Sequence, residues 1–279
     1  MAEVARRGAS PGGPVSRETE RRSTVSRETD TPIAAAAAAA VAARRPTSRA
    51  PFPRPDDPRL VAVANQKGGV GKTTTAVNLA AALALHGSRV LVVDIDPQGN
   101  SSTALGIEPG RRSPGTYEVL LGERSIDELV VAHDEIPGLY CLPTSVDLAG
   151  AEIELVDEPR REFRLADALA ACSLQVDYVL VDCPPSLGLL TLNALCGVTE
   201  VLIPIQCEYY ALEGLGQLTS NVGLVTQHLN PALRISTILL TMYDGRTRLA
   251  EQVVEEVRAH FGATVLATTI PRSVRVAEA

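Results

Sequence analysis

The chain has 279 residues, a formal charge of −7, 45% hydrophobic residues and only 3% aromatic ones. That much aliphatic material can build a large core, so disorder of the whole chain is excluded, and the length admits one or two domains. The acidic balance also means that any contact with nucleic acid must come from a local basic patch, because the overall field repels phosphate.

The first 58 residues stand apart, with ten arginines against seven acids, eight prolines and a single aromatic, Phe52. Such a segment buries too little apolar surface to offset its ordering entropy, so residues 1–58 read as a disordered Ala/Pro/Arg-rich tail and linker. Within it Val15-Ser-Arg-Glu-Thr19 is echoed by Val25-Ser-Arg-Glu-Thr29, a repeat that is either a short docking motif written twice or low-complexity drift. Thr31 as N-cap and Pro32 at the first helical position predict a helix reaching Arg45 through the alanine run 34–40. Pro46 to Pro58 then reads as a stiff, extended linker. There is no secretory leader pattern and no stretch of about 20 apolar residues, so a cytoplasmic protein without a membrane span is expected.

From residue 59 onward acids outnumber bases by ten, and buried-strand runs alternate with helical patterns. Strands are expected at 60–64, 89–93, 139–142, 178–181, 200–205, 235–241 and 264–268. Helices are expected at 72–86, 161–171, 187–197, 208–229 and 247–261. Continuous apolar strands such as Val90-Leu-Val-Val93 imply burial on both faces. The fold class that follows is α/β, a doubly wound and mostly parallel sheet with helices on both faces and ligand at the carboxyl ends of the strands. The five cysteines are odd in number and widely spaced, which suits small core residues better than a disulfide framework or a zinc site.

The first strand leads into Asn65-Gln-Lys-Gly-Gly-Val-Gly-Lys-Thr-Thr-Thr75. Gly68, Gly69 and Gly71 let backbone N–H groups turn inward around phosphate oxygens, and the helix that follows adds its dipole. Lys72 would reach the terminal phosphates and the Thr73 hydroxyl would ligate Mg²⁺. The strict G-x-x-x-x-G-K-[ST] pattern is not met, because Gln66 stands where its first glycine belongs. Both lysines of the chain, Lys67 and Lys72, lie in this loop. A second ammonium at Lys67 would crowd the loop unless it reached another phosphate or another subunit.

Asp94 and Asp96 follow the second strand on one side of an extended chain, placed either to orient water in phosphoryl transfer or to cap the turn before Pro97. Asp182 ends an apolar strand and precedes Cys183-Pro-Pro-Ser186, an arrangement that places a carboxylate to hold Mg²⁺ through water. Asp177, at the other end of that strand, reads as a solvated boundary residue. The domain has no Trp and few aromatics, which disfavours single-strand base stacking and suits contact with a duplex backbone.

Lys67-Gly-Gly-Val-Gly-Lys-Thr73 resembles the deviant Walker A loop of the P-loop ATPases that include ParA/Soj, MinD and the nitrogenase iron protein. Leu148–Leu155, Asp182–Leu190, Pro204–Gly214 and Leu240–Thr247 narrow the resemblance to chromosomal ParA/Soj over residues 60–279. It implies an ATP-dependent homodimer that sandwiches two nucleotides, with Lys67 crossing to the partner's nucleotide and Asp96 positioning the water. The nucleotide would be held by Lys67, Gly68, Gly69, Val70, Gly71, Lys72, Thr73 and Thr74, and Mg²⁺ by Thr73, Asp96 and Asp182. Pro271-Arg272 matches the family's adenine-contacting Pro-Arg-Asn, with Ser273 in place of Asn. Arg246 and Arg275 fall where the family places its DNA-binding arginines. The implied activity is ATP hydrolysis stimulated by a ParB-type partner, coupled to non-specific duplex DNA binding on the nucleoid. Relatives continue beyond this chain's last residues into further helices, so residues 59–279 read as a C-terminally truncated ATPase domain. Two other readings are an ATP-binding scaffold without turnover and a MinD-like division-site regulator, the latter needing a membrane anchor.

Overall fold

Runs of Val, Leu and Ile between Arg59 and Pro271 pair into one eight-stranded sheet in the computed structural model, which describes residues 50–209 and 211–273. The strands are β1 (Arg59–Val63), β2 (Val90–Asp94), β3 (Val131–Ala132), β4 (Leu139–Leu142), β5 (Tyr178–Asp182), β6 (Glu200–Gln206), β7 (Arg234–Tyr243) and β8 (Val265–Pro271). Their order is β3-β4-β2-β5-β1-β6-β7-β8, parallel throughout except for β3 against β4. Helices α1 (Lys72–Leu85), α2 (Asn100–Ala104), α3 (Thr116–Leu121), α4 (Ile126–Leu129), α5 (Leu148–Glu154), α6 (Arg164–Ala171), α7 (Leu189–Gly197), α8 (Ala211–His228) and α9 (Arg248–Phe261) connect them. This is the expected doubly wound α/β fold, a mostly parallel sheet with helices on both faces.

Strand alternation sorts the core into two layers. Val61, Val63, Val90, Val92 and Leu180 pack on the α1 side, while Ala62, Ala64, Leu91, Val93, Val179 and Val181 pack against the larger helical layer. On α1 the buried residues Lys72, Ala76, Ala80 and Ala84 recur every fourth position. Three alanines in that stripe let the helix lie close to the sheet, and the same stripe carries Lys72 into the interior at the first turn.

The expected strands all form, with ends shifted by up to three residues. β7 and β8 run further than their sequence patterns, and the extension of β8 places Pro271 opposite Tyr243. β3 and helices α2 to α5 were not anticipated, because elements of two to seven residues are too short to display a period. The expected helix 161–171 divides into a 3₁₀ turn, Arg161–Phe163, and α6.

Two expectations near the amino ends of the strands need correction. Residues 51–54, expected within a disordered tail as part of a stiff, extended linker, are instead docked: the Phe52 N–H donates to the His86 carbonyl at 3.0 Å, its ring stacks on His86 with centroids 4.0 Å apart, and Arg54 donates to the Gly87 carbonyl. Asp177 is not simply solvated, because its carboxylate accepts the Arg89 N–H at 2.6 Å and so satisfies a backbone donor just ahead of β2. The expected helix 31–45, the repeated pentapeptide and Arg275 lie outside the described residues.

Candidate functional site

β1 lies between β5 and β6, so the chain order reverses around its carboxyl end, where an open parallel sheet forms its ligand crevice. The glycine-rich loop leaves β1 at that point. Gly69 and Gly71 adopt φ of 74° and 90°, backbone that L side chains rarely take, and Gly71 is the N-cap of α1. A glycine cap brings no side chain to the N–H groups of the first turn, so they remain free to meet an anion. Asn65 anchors the other end of the loop, donating from Nδ2 to the Pro204 carbonyl at 2.8 Å and accepting the Lys67 N–H at Oδ1.

Lys72 is buried and its Nζ donates to the Lys67 carbonyl at 3.3 Å. Burial draws the ammonium below its usual pKa, against the pull of Asp182, Cys183 and Asp96 nearby. Gly68, Gly69 and Thr74 are exposed, Thr73 is half-buried and Val70 is buried.

Asp94 and Asp182 are strand neighbours in register and both fully buried. Asp94 accepts three bonds, from Ser102 Oγ at 2.7 Å, the Ser102 N–H at 2.8 Å and the Asp96 N–H at 3.3 Å, and thereby ties β2 to α2. Burial nonetheless pushes its carboxyl up to about 7. Asp182 Oδ2 accepts from Ser101 Oγ at 2.8 Å, whereas Oδ1 is buried without a hydrogen-bond partner. Burial raises this carboxyl to about 6, with Thr73 and Ser101 facing it and opposing the rise. Asp96, two residues beyond β2 and buried, accepts the Gln98 N–H at Oδ1 at 3.0 Å, which fixes its carboxylate.

Among the described residues no group of three or more His, Cys, Asp and Glu forms a metal cage. The orphaned oxygen of Asp182 with the Thr73 hydroxyl facing it suits a hard cation that takes few protein ligands and keeps the rest as water and phosphate oxygens. The donor set therefore fits magnesium.

Residues far apart in sequence complete the edge. Lys67 Nζ rests on Glu208 Oε2 at 3.1 Å within its own chain, and Arg272 Nη2 reaches Glu208 Oε1 at 3.2 Å, an oxygen that also accepts from Gln206 Nε2. The Arg272 N–H donates to the Tyr243 carbonyl at 2.9 Å, which brings the Pro271-Arg272 pair to the same edge as the loop. Lys67 and Glu208 are both partly exposed, so their pair is weak and open to exchange. Arg246 stands apart in the turn after β7, its side chain 89% exposed and gripped by Asp244 through bonds of 2.9 and 2.7 Å. Those bonds hold the Asp244 carboxyl down at about 2.

Sequence reasoning did not find Glu208, Asn65, Ser101, Ser102 or Thr241, whose hydroxyl donates to the Val70 carbonyl at 2.9 Å. Asn65 opens the loop segment itself and the Ser101-Ser102 pair closes the segment that begins at Asp94, and that position is the available signal. Glu208 and Thr241 lie inside Pro204–Gly214 and Leu240–Thr247, segments that carry the resemblance, but nothing in those segments shows that either meets the loop, a contact made only through the sheet.

Residues 58–235 match the family model described as an AAA domain. The chain is 54% identical over 220 residues to the chromosome partitioning protein ParA of Myxococcus xanthus, covering 79% of this chain and 77% of that protein. It is 52% identical over 221 residues to the sporulation initiation inhibitor protein Soj of Bacillus subtilis, covering 79% and 87%. Among solved structures, a cobyrinic acid a,c-diamide synthase from Mycobacterium smegmatis with bound ADP and magnesium superposes with a TM-score of 0.73 at 44% identity, over 78% of this chain and 88% of that one. A putative plasmid partition protein from Borrelia burgdorferi bound to AMPPNP gives 0.68 at 26% identity, over 80% and 88%.

Proposed function

The chain belongs to the ParA/Soj family of partitioning P-loop ATPases, and from that premise we propose that it is an ATP-driven switch for DNA segregation. The observation that carries this reading is the carboxyl edge itself: a glycine loop with free helix N–H groups, a buried lysine, and an unpartnered carboxylate oxygen at one crevice. Residues 59–279 form the ATPase domain and residues 1–58 precede it as an extension.

In this reading Gly68 to Thr74 wrap the phosphates, Lys72 neutralises the terminal ones, and Pro271 with Arg272 borders the base. Thr73 and Asp182 hold magnesium, with Asp96 beside them. Bound there, magnesium would supply charge neutralisation to the reacting nucleotide. Asp96 orients the attacking water through the carboxylate that the Gln98 N–H fixes. Lys67 leaves Glu208 for the phosphates bound by a second copy of the chain, which makes the closed state a homodimer. The exposed and weak pairing of Lys67 with Glu208 supports that exchange. The closed dimer binds duplex DNA without reading sequence, through Arg246 and Arg275, and a ParB-type partner stimulates hydrolysis. The protein works in the cytoplasm on the nucleoid, and among the described residues no helix is long and apolar enough to cross a membrane.

Steady-state hydrolysis measured with and without duplex DNA and a ParB-type protein tests this. Stimulated turnover is expected, and folded protein that binds ATP without stimulated turnover rejects the switch in favour of a scaffold. Substituting Arg246 and Arg275 by Ala is expected to abolish ATP-dependent DNA retention, each lost phosphate contact reducing the salt slope by about 0.9. Asp244→Asn releases Arg246 from its carboxylate and is expected to strengthen retention.

A further inference from the structure

The phosphate loop has a mechanical problem that its own residues do not solve. Gly69 and Gly71 allow the left-handed turns the loop needs, at φ of 74° and 90°, but glycine leaves the intervening peptide planes free to rotate. A phosphate cradle binds more tightly when its N–H groups face inward before the ligand arrives, because no ordering cost is then left to binding.

Thr241 meets this need from 171 residues away. It is the eighth residue of β7 and is 4% exposed. Its Oγ1–H donates to the Val70 carbonyl at 2.9 Å, and its Cγ2 methyl lies 4.0 Å from where a Cβ on Gly71 would stand. Because a trans peptide directs C=O and N–H to opposite sides, drawing the Val70 oxygen toward β7 turns the Gly71 N–H away from the strand. Thr241 is itself held firmly. The Cys207 N–H donates to its carbonyl at 3.2 Å, its β-branched side chain is restricted at χ1, and Met242 immediately turns the chain with a φ of 51° that a non-glycine residue rarely adopts.

We propose that Thr241 is a positioning residue of the nucleotide site, one that pre-sets the Val70–Gly71 peptide so that its N–H is already aimed at a bound phosphate. This rests on the nucleotide-binding reading given above. Removing the hydroxyl leaves the Val70 carbonyl without its bond and lets the peptide rotate, so each binding event must then order it.

The test compares Thr241→Val, which keeps the methyl and shape but removes the donor, with Thr241→Ser, which keeps the donor. ADP and ATP affinities are measured by calorimetry, and thermal midpoints are measured without nucleotide. Thr241→Val is expected to weaken both nucleotides by about tenfold, the worth of one hydrogen bond, while Thr241→Ser stays within about threefold of the unaltered chain. Thr241→Val binding as tightly as the unaltered chain, or Thr241→Ser binding as weakly as Thr241→Val, overturns the proposal. If neither Thr241→Val nor Thr241→Ala folds, the hydroxyl serves stability alone and the proposal falls too. Absence of ADP and ATP binding by the unaltered chain would instead reject the functional reading on which it rests.

Discussion

The two ends of the sheet use buried carboxylates in opposite ways. At the amino edge Glu200, 3% exposed, accepts Arg59 Nε at 3.0 Å and Arg59 Nη2 at 2.6 Å and pairs with Arg234 at 3.0 Å. The Arg59 bonds hold its carboxyl below the usual range despite burial. At the carboxyl edge Asp94 and Asp182 are equally buried, but they receive hydroxyl and N–H donors rather than arginines, and burial pushes them up to about 7 and 6. One edge has its charge answered by arginines within the fold. The other leaves Asp182 Oδ1 buried without a hydrogen bond and its carboxyls raised by burial, so folding stability and binding capacity are lodged at opposite ends of the same strands.

Exchanging one charged residue at each edge should separate these roles. Lys72→Met is expected to weaken ATP binding on the order of a hundredfold or more, the scale of losing one partner of a buried charge contact, while shifting the nucleotide-free thermal midpoint less than an amino-edge change does. Titration calorimetry and thermal melts on the same sample would break the comparison if the two effects tracked each other.

Glu200→Gln is the reciprocal change. It is expected to remove about 1–2 kcal/mol, or roughly 2–8 °C in thermal midpoint, and to leave ATP affinity unchanged. The magnitude is kept small because Arg59 and Arg234 are exposed enough to turn toward water.

The pH dependence of stability sharpens the contrast with the smallest shift. For Asp94 and Asp182 the folded pKa lies above the unfolded one, so the unfolded chain releases protons first and stability falls as pH rises from about 4 toward about 7. Glu200 and Asp244, with lowered values, contribute stability that is present above their unfolded pKa and lost as pH falls. Without nucleotide, the thermal midpoint is therefore expected to decline between pH 5 and 7, and the decline should flatten in Asp94→Asn. A profile unaltered by that substitution would show that the buried aspartates do not carry it.

The nucleotide loop, the strand-end aspartates and the alternation of strands and helices were all legible in the sequence, because each is a local pattern: glycines beside a lysine, an acid closing an apolar run, a period of two or 3.6. Short elements were not legible, since α2 and β3 never complete a period. The docking of residues 51–54 was also hidden, because it rests on one aromatic stacking on His86 rather than on any repeat.

What the sequence determined by itself is the chemistry available at the site: two lysines in one loop, aspartates at strand ends, and glycines where left-handed backbone is required. What only the tertiary structure decided is which distant residues hold that chemistry in place. Glu208 meets Lys67 across 141 positions and Thr241 meets Val70 across 171. The parallel register of β1, β6 and β7 gathers their carboxyl ends into one crevice, and that adjacency is a property of the assembled sheet, which no spacing along the chain encodes.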